Sequence, residues 1–509
     1  MKRTILFLAI LFLSAQLNTF GQTKKTVFDA KFDLSAEVKG KGFGFMTLGS
    51  DGTYTYSLSV KGVNFMMIPI GFKYIINKFD SKMNRVLSKK VPMKTDIYKL
   101  GMYRAPLDMK MIDNRLIQTV STLDKKAETR SIYLIEYDKD NLTQTNTLEI
   151  GSFPEKGKQK NDMNTFFDPK NNQEFALVVQ SSKSSGSSKA TLFVINNELQ
   201  TALKTDFDVE GEYDKTTFGN YIISENSIAF TCRTRGGKNE SDKLDFYLVD
   251  RKSENLQQFE ISLSDIGNNI SDFECAMDAS GKLHISGFYS SGVKKTNDSG
   301  GVFTQIYDTK SGEKLSEDVH PFTFDFITEN MSEKQKNKTE KKINKGKDYD
   351  VYEYLVREVI PNKDGSSILV AERFRYYETT YTDSKGNRHT TPHYVHADLI
   401  TVRTNKDGEI EWVQRFKKFN HATNAMAGQM LFHNIEDHFY VVFSEEGKLK
   451  MAEISKKDGT SKSKDVFSKD QIGNYVPSLG STVQTSPTDY LSQFIRIKKA
   501  KILTISFEK

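Results

Sequence analysis

Runs of apolar residues, each followed by an acid or amide and a polar turn, recur along this chain about every 55 residues. A second run of alternating apolar and polar residues follows each turn. The copies end at Asp80, Asp138, Asn196, Asp250, Asp308 and, more loosely, Thr404 and Ser455. A fixed period of this length is typical of stacked-repeat folds. Four short strands per period predict an all-β fold, a β-propeller.

Turn signals give the order of strands within each repeat. Asp51-Gly52 and Asp364-Gly365 each precede a β-rich run and indicate the turn between the first and second strands. The apolar run described above is then the third strand. Residues 410–416 alternate as expected of a solvent-facing fourth strand. The loops between second and third strands are therefore expected on one face of the propeller, which we call the loop-bearing face.

The number of blades follows from the two ends of the repeat region. Residues 490–507 form one more strand pair, which places an eighth unit at the expected distance after Ser455 but leaves it without an outer strand. Residues 27–34 alternate apolar and polar and can supply that strand. Pairing the N-terminal and C-terminal strands would also remove the exposed edges of an open ring. We therefore predict eight four-stranded blades, with seven as the alternative.

Two insertions interrupt the sixth unit. Residues 325–347 are expected to be helical, because Ser332 and Gln335 have the spacing of a capping box. Residues 375–396 form a long loop or hairpin with its tip at residues 385–387. The strand order places both insertions on the loop-bearing face, where they are expected to lie near each other.

The first residues are typical of a secretory signal peptide. Lys2 and Arg3 precede an apolar stretch too short to span a bilayer, and we expect cleavage near Gly21. This assigns residues 1–21 to the signal and residues 22–509 to a single propeller domain. No cysteine lies at the end of the apolar stretch. We therefore expect an exported protein, periplasmic or extracellular, with no lipid anchor and no membrane insertion.

Charge and cysteine content exclude two further classes. The net charge of +6 is mild for 509 residues, so a nucleic-acid binder is not expected. The two cysteines, Cys232 and Cys275, do not form a disulfide framework. Two buried thiols are favoured, and a disulfide between neighbouring repeats is the alternative.

Several segments resemble exported, functionally uncharacterised β-propeller proteins of Bacteroidota-type bacteria. The resemblance lies in LVREVIP at 355–361, SILVAERF at 367–374, the NKDGEIEW core of residues 398–416, and the closing hairpin at 495–507. It implies a propeller and export. Relatives of this kind carry no assigned activity, so the resemblance implies no site residues.

No signature of a known catalytic chemistry occurs in the chain, and any chemistry must lie in propeller loops. The densest constellation is in the second insertion, where His389, His393 and His396 lie among tyrosines. A metal site is the alternative interpretation of these histidines, but Pro392 argues against a helix, and in a strand His393 and His396 point to opposite faces. We therefore predict no metal and no cofactor.

The loops between second and third strands carry a net positive charge, which favours an anionic ligand on the loop-bearing face. The apolar loop at residues 65–70 is expected to tuck over a blade edge, or alternatively to meet a partner. The ligand-binding candidates are Arg233, Arg235, Lys294, Lys295, Arg375, Tyr377, His393 and His396.

The favoured function is a monomeric, non-enzymatic module that binds or scaffolds a protein or an anionic glycan through this face. One alternative is an enzyme that cleaves glycans or peptides at the channel mouth. The other alternative is a structural protein of the cell envelope.

Overall fold

The structure is a computed structural model. It describes residues 22–35, 38–39, 43–65, 68–81, 84–91, 109–157, 159–166, 173–182, 187–237, 240–263, 269–290, 300–329, 332–344, 353–423, 425–496 and 499–508. The expected signal peptide, Met66 and Met67 of the apolar loop, and the candidates Lys294 and Lys295 lie outside these residues. No helix within the described ranges is long and apolar enough to cross a membrane.

The strands form eight antiparallel sheets. The first described strands are β1 (Gln22–Val27), β2 (Ala30–Leu34) and β3 (Val38–Lys39). Blade 1 contains β4 (Phe43–Ser50), β5 (Thr55–Phe65), β6 (Ile68–Phe79) and β7 (Arg85–Lys90). Blade 2 contains β8 (Met109–Ile112), β9 (Arg115–Asp124), β10 (Thr129–Tyr137) and β11 (Gln144–Pro154). Blade 3 contains β12 (Asn161–Phe166), β13 (Glu174–Ser182), β14 (Ser187–Asn196) and β15 (Thr201–Glu212).

The following blades repeat this order. Blade 4 contains β16 (Thr216–Ile223), β17 (Ser227–Thr234), β18 (Lys243–Asp250) and β19 (Leu256–Glu260). Blade 5 contains β20 (Asn269–Met277), β21 (Lys282–Ser290), β22 (Gly301–Asp308) and β23 (Lys314–Pro321). Blade 6 contains β24 (Glu353–Pro361), β25 (Ser367–Thr382), β26 (Arg388–Thr404) and β27 (Ile410–Phe416), with β28 (Asn420–Ala422) paired to β26.

The last two blades use the C-terminal part of the chain. Blade 7 contains β29 (Met430–Asn434), β30 (His438–Glu445), β31 (Lys448–Ser455) and β32 (Ser461–Phe467). Blade 8 joins β33 (Val476–Pro477), β34 (Val483–Gln484), β35 (Asp489–Arg496) and β36 (Lys499–Phe507) to the N-terminal strands. Within the described ranges, the α-helices are Phe324–Thr328, Glu333–Ile343 and Lys469–Ile472, and the 3-10 helices are Tyr213–Lys215, Ala425–Gly428 and Leu479–Ser481.

These sheets confirm the prediction of an eight-bladed β-propeller. The first strands of neighbouring blades contact each other, as β16 does with β20 and β20 with β24, so they are the inner strands around the axis. The chain order within each sheet then places the loops that join second to third strands, and each blade to the next, on the loop-bearing face. The turns between first and second strands and between third and fourth strands lie on the opposite face, which we call the turn face.

The ring closes where the sequence predicts it, by pairing of N-terminal and C-terminal strands. β2 runs antiparallel to β36, with Ala30 opposite Phe507 and Leu34 opposite Leu503. The predicted single strand at 27–34 is divided, because Phe28 has a φ of 51° and reverses the chain between β1 and β2. On the other side of blade 8, the side chain of Gln493 donates to Thr47 Oγ1 of blade 1 at 2.6 Å.

The repeated acid or amide has a physical role in the turn after the third strand. Asp138, Asp250 and Asp308 each accept hydrogen bonds from two backbone N–H groups of the turn that follows. These bonds satisfy donors that leave the strand ladder, which explains why Asp and Asn recur there. The same bonds lower the pKa of Asp250 and Asp308.

The hydrophobic core is divided among the interfaces between blades. One cluster, for example, packs Ile368 and Val370 of blade 6 against Phe439 and Val441 of blade 7. Equivalent clusters join each consecutive pair of blades from the first to the eighth. Each blade is therefore stabilised mainly by its two neighbours, as expected for a ring of repeats.

The helix predicted in the sixth unit is present as Glu333–Ile343, and the Gln335 side chain accepts from the backbone N–H of Ser332. The short helix Phe324–Thr328 also lies in the insertion predicted to be helical, at residues 325–347, whereas Lys469–Ile472 was not predicted. Cys232 and Cys275 are both buried free thiols. Burial raises the pKa of Cys232 to about 12, and that of Cys275 also lies well above its usual value.

We expect Phe32→Ala to destabilise the whole ring by about 3–5 kcal/mol, since it leaves a cavity in the closing strand. Phe32 is fully buried against blades 7 and 8. Chemical denaturation followed by circular dichroism measures the free energy of unfolding. Lys31→Ala is the matched control, because Lys31 forms only a half-exposed ion pair with Glu508 at 2.7 Å. If both variants lost the same small amount of unfolding free energy, closure of the ring through β2 would be contradicted.

Candidate functional site

A long β-hairpin projects from blade 6 on the loop-bearing face. β25 and β26 remain paired beyond the rest of the sheet, from Phe374 opposite His396 to Thr382 opposite Arg388. The tip turns at Asp383, whose carboxylate accepts from the backbone N–H of Lys385 at 2.9 Å. Because Thr and Tyr dominate the hairpin, its composition favours strands even where the propeller core does not support them.

One side of this hairpin holds a cluster of aromatic, basic and imidazole groups. The Tyr377 ring stacks on His393, with centroids 4.7 Å apart, and the Arg375 guanidinium lies 5.4 Å from the Tyr377 centroid. His393 Nδ1 is 3.0 Å from Nε2 of His421, which comes from β28. Three of the predicted site residues, Arg375, Tyr377 and His393, are thus brought together.

His421 is a member of this cluster that the sequence did not indicate. It lies outside the insertion, and it reaches the hairpin only because β28 pairs with β26 with Val395 opposite His421. The three residues of β28 are too few to show a strand periodicity. The only sequence signal is a histidine shortly after the fourth strand of the unit that carries the insertion.

The most exposed Phe and Tyr side chains of the described chain all belong to the loop-bearing end of blade 6. They are Phe324 at 37%, Tyr376 at 46%, Phe419 at 50% and Tyr381 at 60% exposed. Tyr376 and Tyr381 are on the hairpin, whereas Phe324 and Phe419 lie in the connections that enter and leave the blade. These rings contribute little to the inter-blade cores, so folding alone does not explain their concentration here.

His396 was expected on the same ligand-binding surface, and the structure places it in the interior instead. It is only 4% exposed, and its Nδ1 lies 3.0 Å from a carboxylate oxygen of Glu372. The three-residue separation from His393 puts the two rings on opposite sides of β26. Its Nε2 has no hydrogen-bond partner among the described residues, and a Cβ added at Gly428 would lie 2.0 Å from it.

Glu372 is the centre of a buried group of charges beneath the hairpin. Its carboxylate contacts Lys418, which is almost fully buried, and accepts from Arg357 Nε at 3.0 Å as well as from His396. Burial raises the pKa of Glu372, but the positive charges of Lys418 and Arg357 and the bond from His396 outweigh it and hold the pKa at about 2. This group therefore fixes β24, β25 and β26 at the base of the hairpin.

The remaining candidates are in blade 4. Arg233, near the end of β17, donates to the backbone carbonyl of Ser271 at 3.4 Å in blade 5. Arg235 follows in the connection between β17 and β18, where its backbone N–H donates to the carbonyl of Lys215. Both belong to the loop-bearing face, but the structure gives no contact between them and the blade 6 hairpin.

A polar cleft of about 1370 Å³ lies on the turn face, where the turns of blades 6, 7 and 8 meet. Its lining includes Asp364 and Arg403 of blade 6, His433 and Lys456 of blade 7, and Asp29 between β1 and β2. His433 stacks on Phe507 with centroids 3.8 Å apart, and its Nδ1 is 2.9 Å from the Tyr490 hydroxyl. None of the residues predicted from the sequence to bind a ligand lies in this cleft, because its lining comes from distant parts of the chain.

Neither the hairpin nor the cleft has the arrangement of a metal centre. Within the described ranges no group of three or more His, Cys, Asp or Glu side chains is placed to hold a metal ion. The hairpin cluster offers two imidazoles and a phenol, which suit stacking and hydrogen bonding.

The sheets and their closure define the class of this protein as an eight-bladed β-propeller with an aromatic, imidazole-rich hairpin on one face. No protein-family model and no curated protein matches the chain. Binding and catalysis must therefore be weighed on the site itself.

The solved structures to which the chain shows some similarity include a mutant of the Synechocystis apocarotenoid oxygenase, with 9% identity over 89% of this chain and 95% of that chain, at a TM-score of 0.36. An ACO/RPE65 chimera shows 11% identity over 89% and 95%, at a TM-score of 0.37. The β-propeller domain of the Trilobed protease from Pyrococcus furiosus shows 9% identity over 85% and 98%, at a TM-score of 0.34. At such low scores these likenesses support no inference about activity.

We expect Glu372→Gln to lower the free energy of unfolding by about 3–5 kcal/mol at pH 7, because it leaves the buried Lys418 ammonium without an anion. Glu378→Gln in the exposed hairpin is the control and should change the free energy of unfolding little. In the wild type this stabilisation is complete above the usual glutamate pKa of 4.5 and is lost as the pH falls towards 2. Urea titrations across this range measure both effects, and a variant as stable as the control would refute the assignment.

Burial of His433 at the seam between blades 7 and 8 should make a second contribution to the free energy of unfolding that depends on acid pH. Burial lowers its pKa from 6.5 to about 4, so the folded state favours the neutral ring. The stabilisation is complete above pH 6.5 and is lost as the pH falls to 4, by about 3 kcal/mol at full effect. His433→Gln should flatten this part of the curve of unfolding free energy against pH. An unchanged slope in the variant would show that other groups cause the loss.

Proposed function

We propose that this protein is an exported, monomeric propeller that binds a partner protein through the loop-bearing end of blade 6, without catalysing a reaction. The observation that carries the proposal is the concentration of exposed Phe324, Tyr376, Tyr381 and Phe419 at this end. Aromatic residues and arginine are the side chains that most often dominate the energy of protein interfaces. Arg375, stacked over Tyr377, adds the arginine.

The composition of this surface supports a protein partner over an anionic glycan. Phe324 and Phe419 carry no hydrogen-bonding group, and desolvating them is favourable mainly against apolar side chains. The positive charge of the loops on the same face, including Arg233 and Arg235 of blade 4, supports a partner with acidic groups around an apolar centre. The basic and apolar pattern of the first residues supports the proposed export, with the periplasm or the exterior as the location.

The geometry around His396 gives less support to an enzyme. The ring is oriented by Glu372, as a general base often is, but its Nε2 is enclosed by Gly428. A substrate atom would have to occupy the space that the Gly428 backbone now fills. Glu372 itself is engaged by Lys418 and Arg357, which suits a structural role at the base of the hairpin.

The proposal predicts that the triple variant Tyr376→Ser, Tyr381→Ser and Phe419→Ser binds the partner at least about tenfold more weakly, since interface aromatics commonly contribute more than about 1 kcal/mol each. Proteins cross-linked to the wild type in exported fractions of the native host are identified by mass spectrometry. Their affinities for purified wild type and variant are then measured by biolayer interferometry. Val86→Ser with Leu315→Ser is the control, because both are exposed apolar residues on outer strands of other blades.

Charge reversal tests the second part of the proposal. Replacing Arg233, Arg235 and Arg375 by Glu should weaken binding further, and binding by the wild type should fade as salt rises, because the screening length falls to about 8 Å at physiological ionic strength. Affinity that survives both sets of substitutions would exclude this surface. Selective binding to anionic glycans on an array, with no protein captured, would replace the protein partner by a glycan.

A further inference from the structure

Residues that follow the third strand make a recurring contact between neighbouring blades on the turn face. Lys139 of blade 2 forms an ion pair with Asp51 of blade 1 at 3.7 Å, and Asn197 of blade 3 donates to Asp113 of blade 2 at 3.0 Å. In blade 4, Arg251 pairs with Glu174 of blade 3 at 2.6 Å. In blades 2, 3 and 4, a cationic or amide side chain at this position thus links its blade to an acid of the preceding one, whereas the equivalent Thr309 of blade 5 and Asn405 of blade 6 bond within their own blades.

Blade 7 carries a lysine at this position but does not form the contact seen in blades 2, 3 and 4. Its equivalent residue is Lys456, and the acid of the preceding blade is Asp364. Asp364 forms an ion pair with Arg403 instead, whose guanidinium lies 3.4 Å from the Asp364 carboxylate. Arg403 also donates to the backbone carbonyl of Lys456 at 2.6 Å. Arg403 pairs in addition with Glu411 at 2.6 Å. The lysine therefore does not form the ion pair or hydrogen bond to an acid of the preceding blade that the equivalent residues of blades 2, 3 and 4 form.

Lys456 lies in the wall of the polar cleft. It is only 5% exposed, and its amino group makes no hydrogen bond or ion pair with another described residue. The charged groups that act on it electrostatically are Asp364, Asp437, Arg403 and Glu436. Burial lowers the pKa of Lys456 to about 8, although the three acids act in the opposite direction. A larger fraction of this amine than of an ordinary lysine is consequently neutral near physiological pH.

We propose that Lys456 is a nucleophilic amine that binds a small aldehyde or ketone covalently, as a Schiff base, in the turn-face cleft. The cleft of about 1370 Å³, the nearly buried Lys456 in its wall and the pairing of Asp364 with Arg403 instead of with this lysine together define the site. An uncharged carbonyl compound fits better than an anion, because the nearby carboxylates of Asp437 and Glu436 would repel negative charge.

The step balances without an oxidant or reductant. The lone pair of the Lys456 amine attacks the carbonyl carbon, and the electron pair of the C=O bond moves to oxygen. The two hydrogens of the amine and the carbonyl oxygen leave as water when the C–O bond breaks and the C=N bond forms. Because the amine must be neutral to attack, its burial favours the first step.

Reductive trapping on the mature full-length chain tests the proposal. The chain is incubated with propanal and sodium cyanoborohydride at pH 7.5, and propylation of each lysine is followed by peptide mass spectrometry. Lys457, the exposed neighbour in the sequence, is the internal reference. We expect Lys456 to react about tenfold faster than Lys457, and its rate to saturate as propanal fills the cleft.

Lys456→Arg keeps the positive charge and removes the nucleophile. This variant should lose the fast, saturable labelling while its circular dichroism spectrum and the slow labelling of Lys457 stay the same. The wild-type rate at Lys456 should rise with pH and level off above about 8. Labelling of Lys456 at the rate of Lys457, or a rate that grows linearly with propanal, would overturn the proposal.

Discussion

Pairing of β2 with β36 is the interaction on which the rest of the structure depends. Each blade is stabilised by the blades beside it, so an open ring would leave two sheets with an uncovered apolar side and an unpaired edge. Ala30, Phe32 and Leu34 supply the missing outer strand and at the same time pack into the seam between blades 7 and 8. This seam also holds His433, and the polar cleft opens beside it.

The sequence predicted the elements whose chemistry is local and repeated. Asp or Asn recurs after the third strand of the first five blades because the turn needs a side-chain oxygen, and the incomplete last unit indicated the closing strand. Contacts between segments that are distant in the sequence could not be predicted from it. The reversal at Phe28 and the approach of His421 to His393 depend on tertiary packing, and neither has a periodic signal.

The two candidate sites differ in how well the sequence alone predicts them. The blade 6 hairpin is a contiguous insertion, so its Tyr and His content stands out, although periodicity could place only some of its side chains. Strand alternation separated His396 from His393, but it gave no indication of the carboxylate partner Glu372. The cleft is assembled from turns of three blades, and Lys456 is distinctive only when its partners are compared with those of Lys139 and Arg251.

Closure by the two ends of the repeat region also constrains how the chain acquires its structure. The backbone N–H of Ile502 donates to the side chain of Ser35, 467 positions earlier, at 2.8 Å. Such a contact forms only after nearly all of the chain has emerged, and loops of this length slow the search for it. Until β36 is available, the blades can therefore form only an open array, with the edge strand β2 left unpaired and accessible to chaperones.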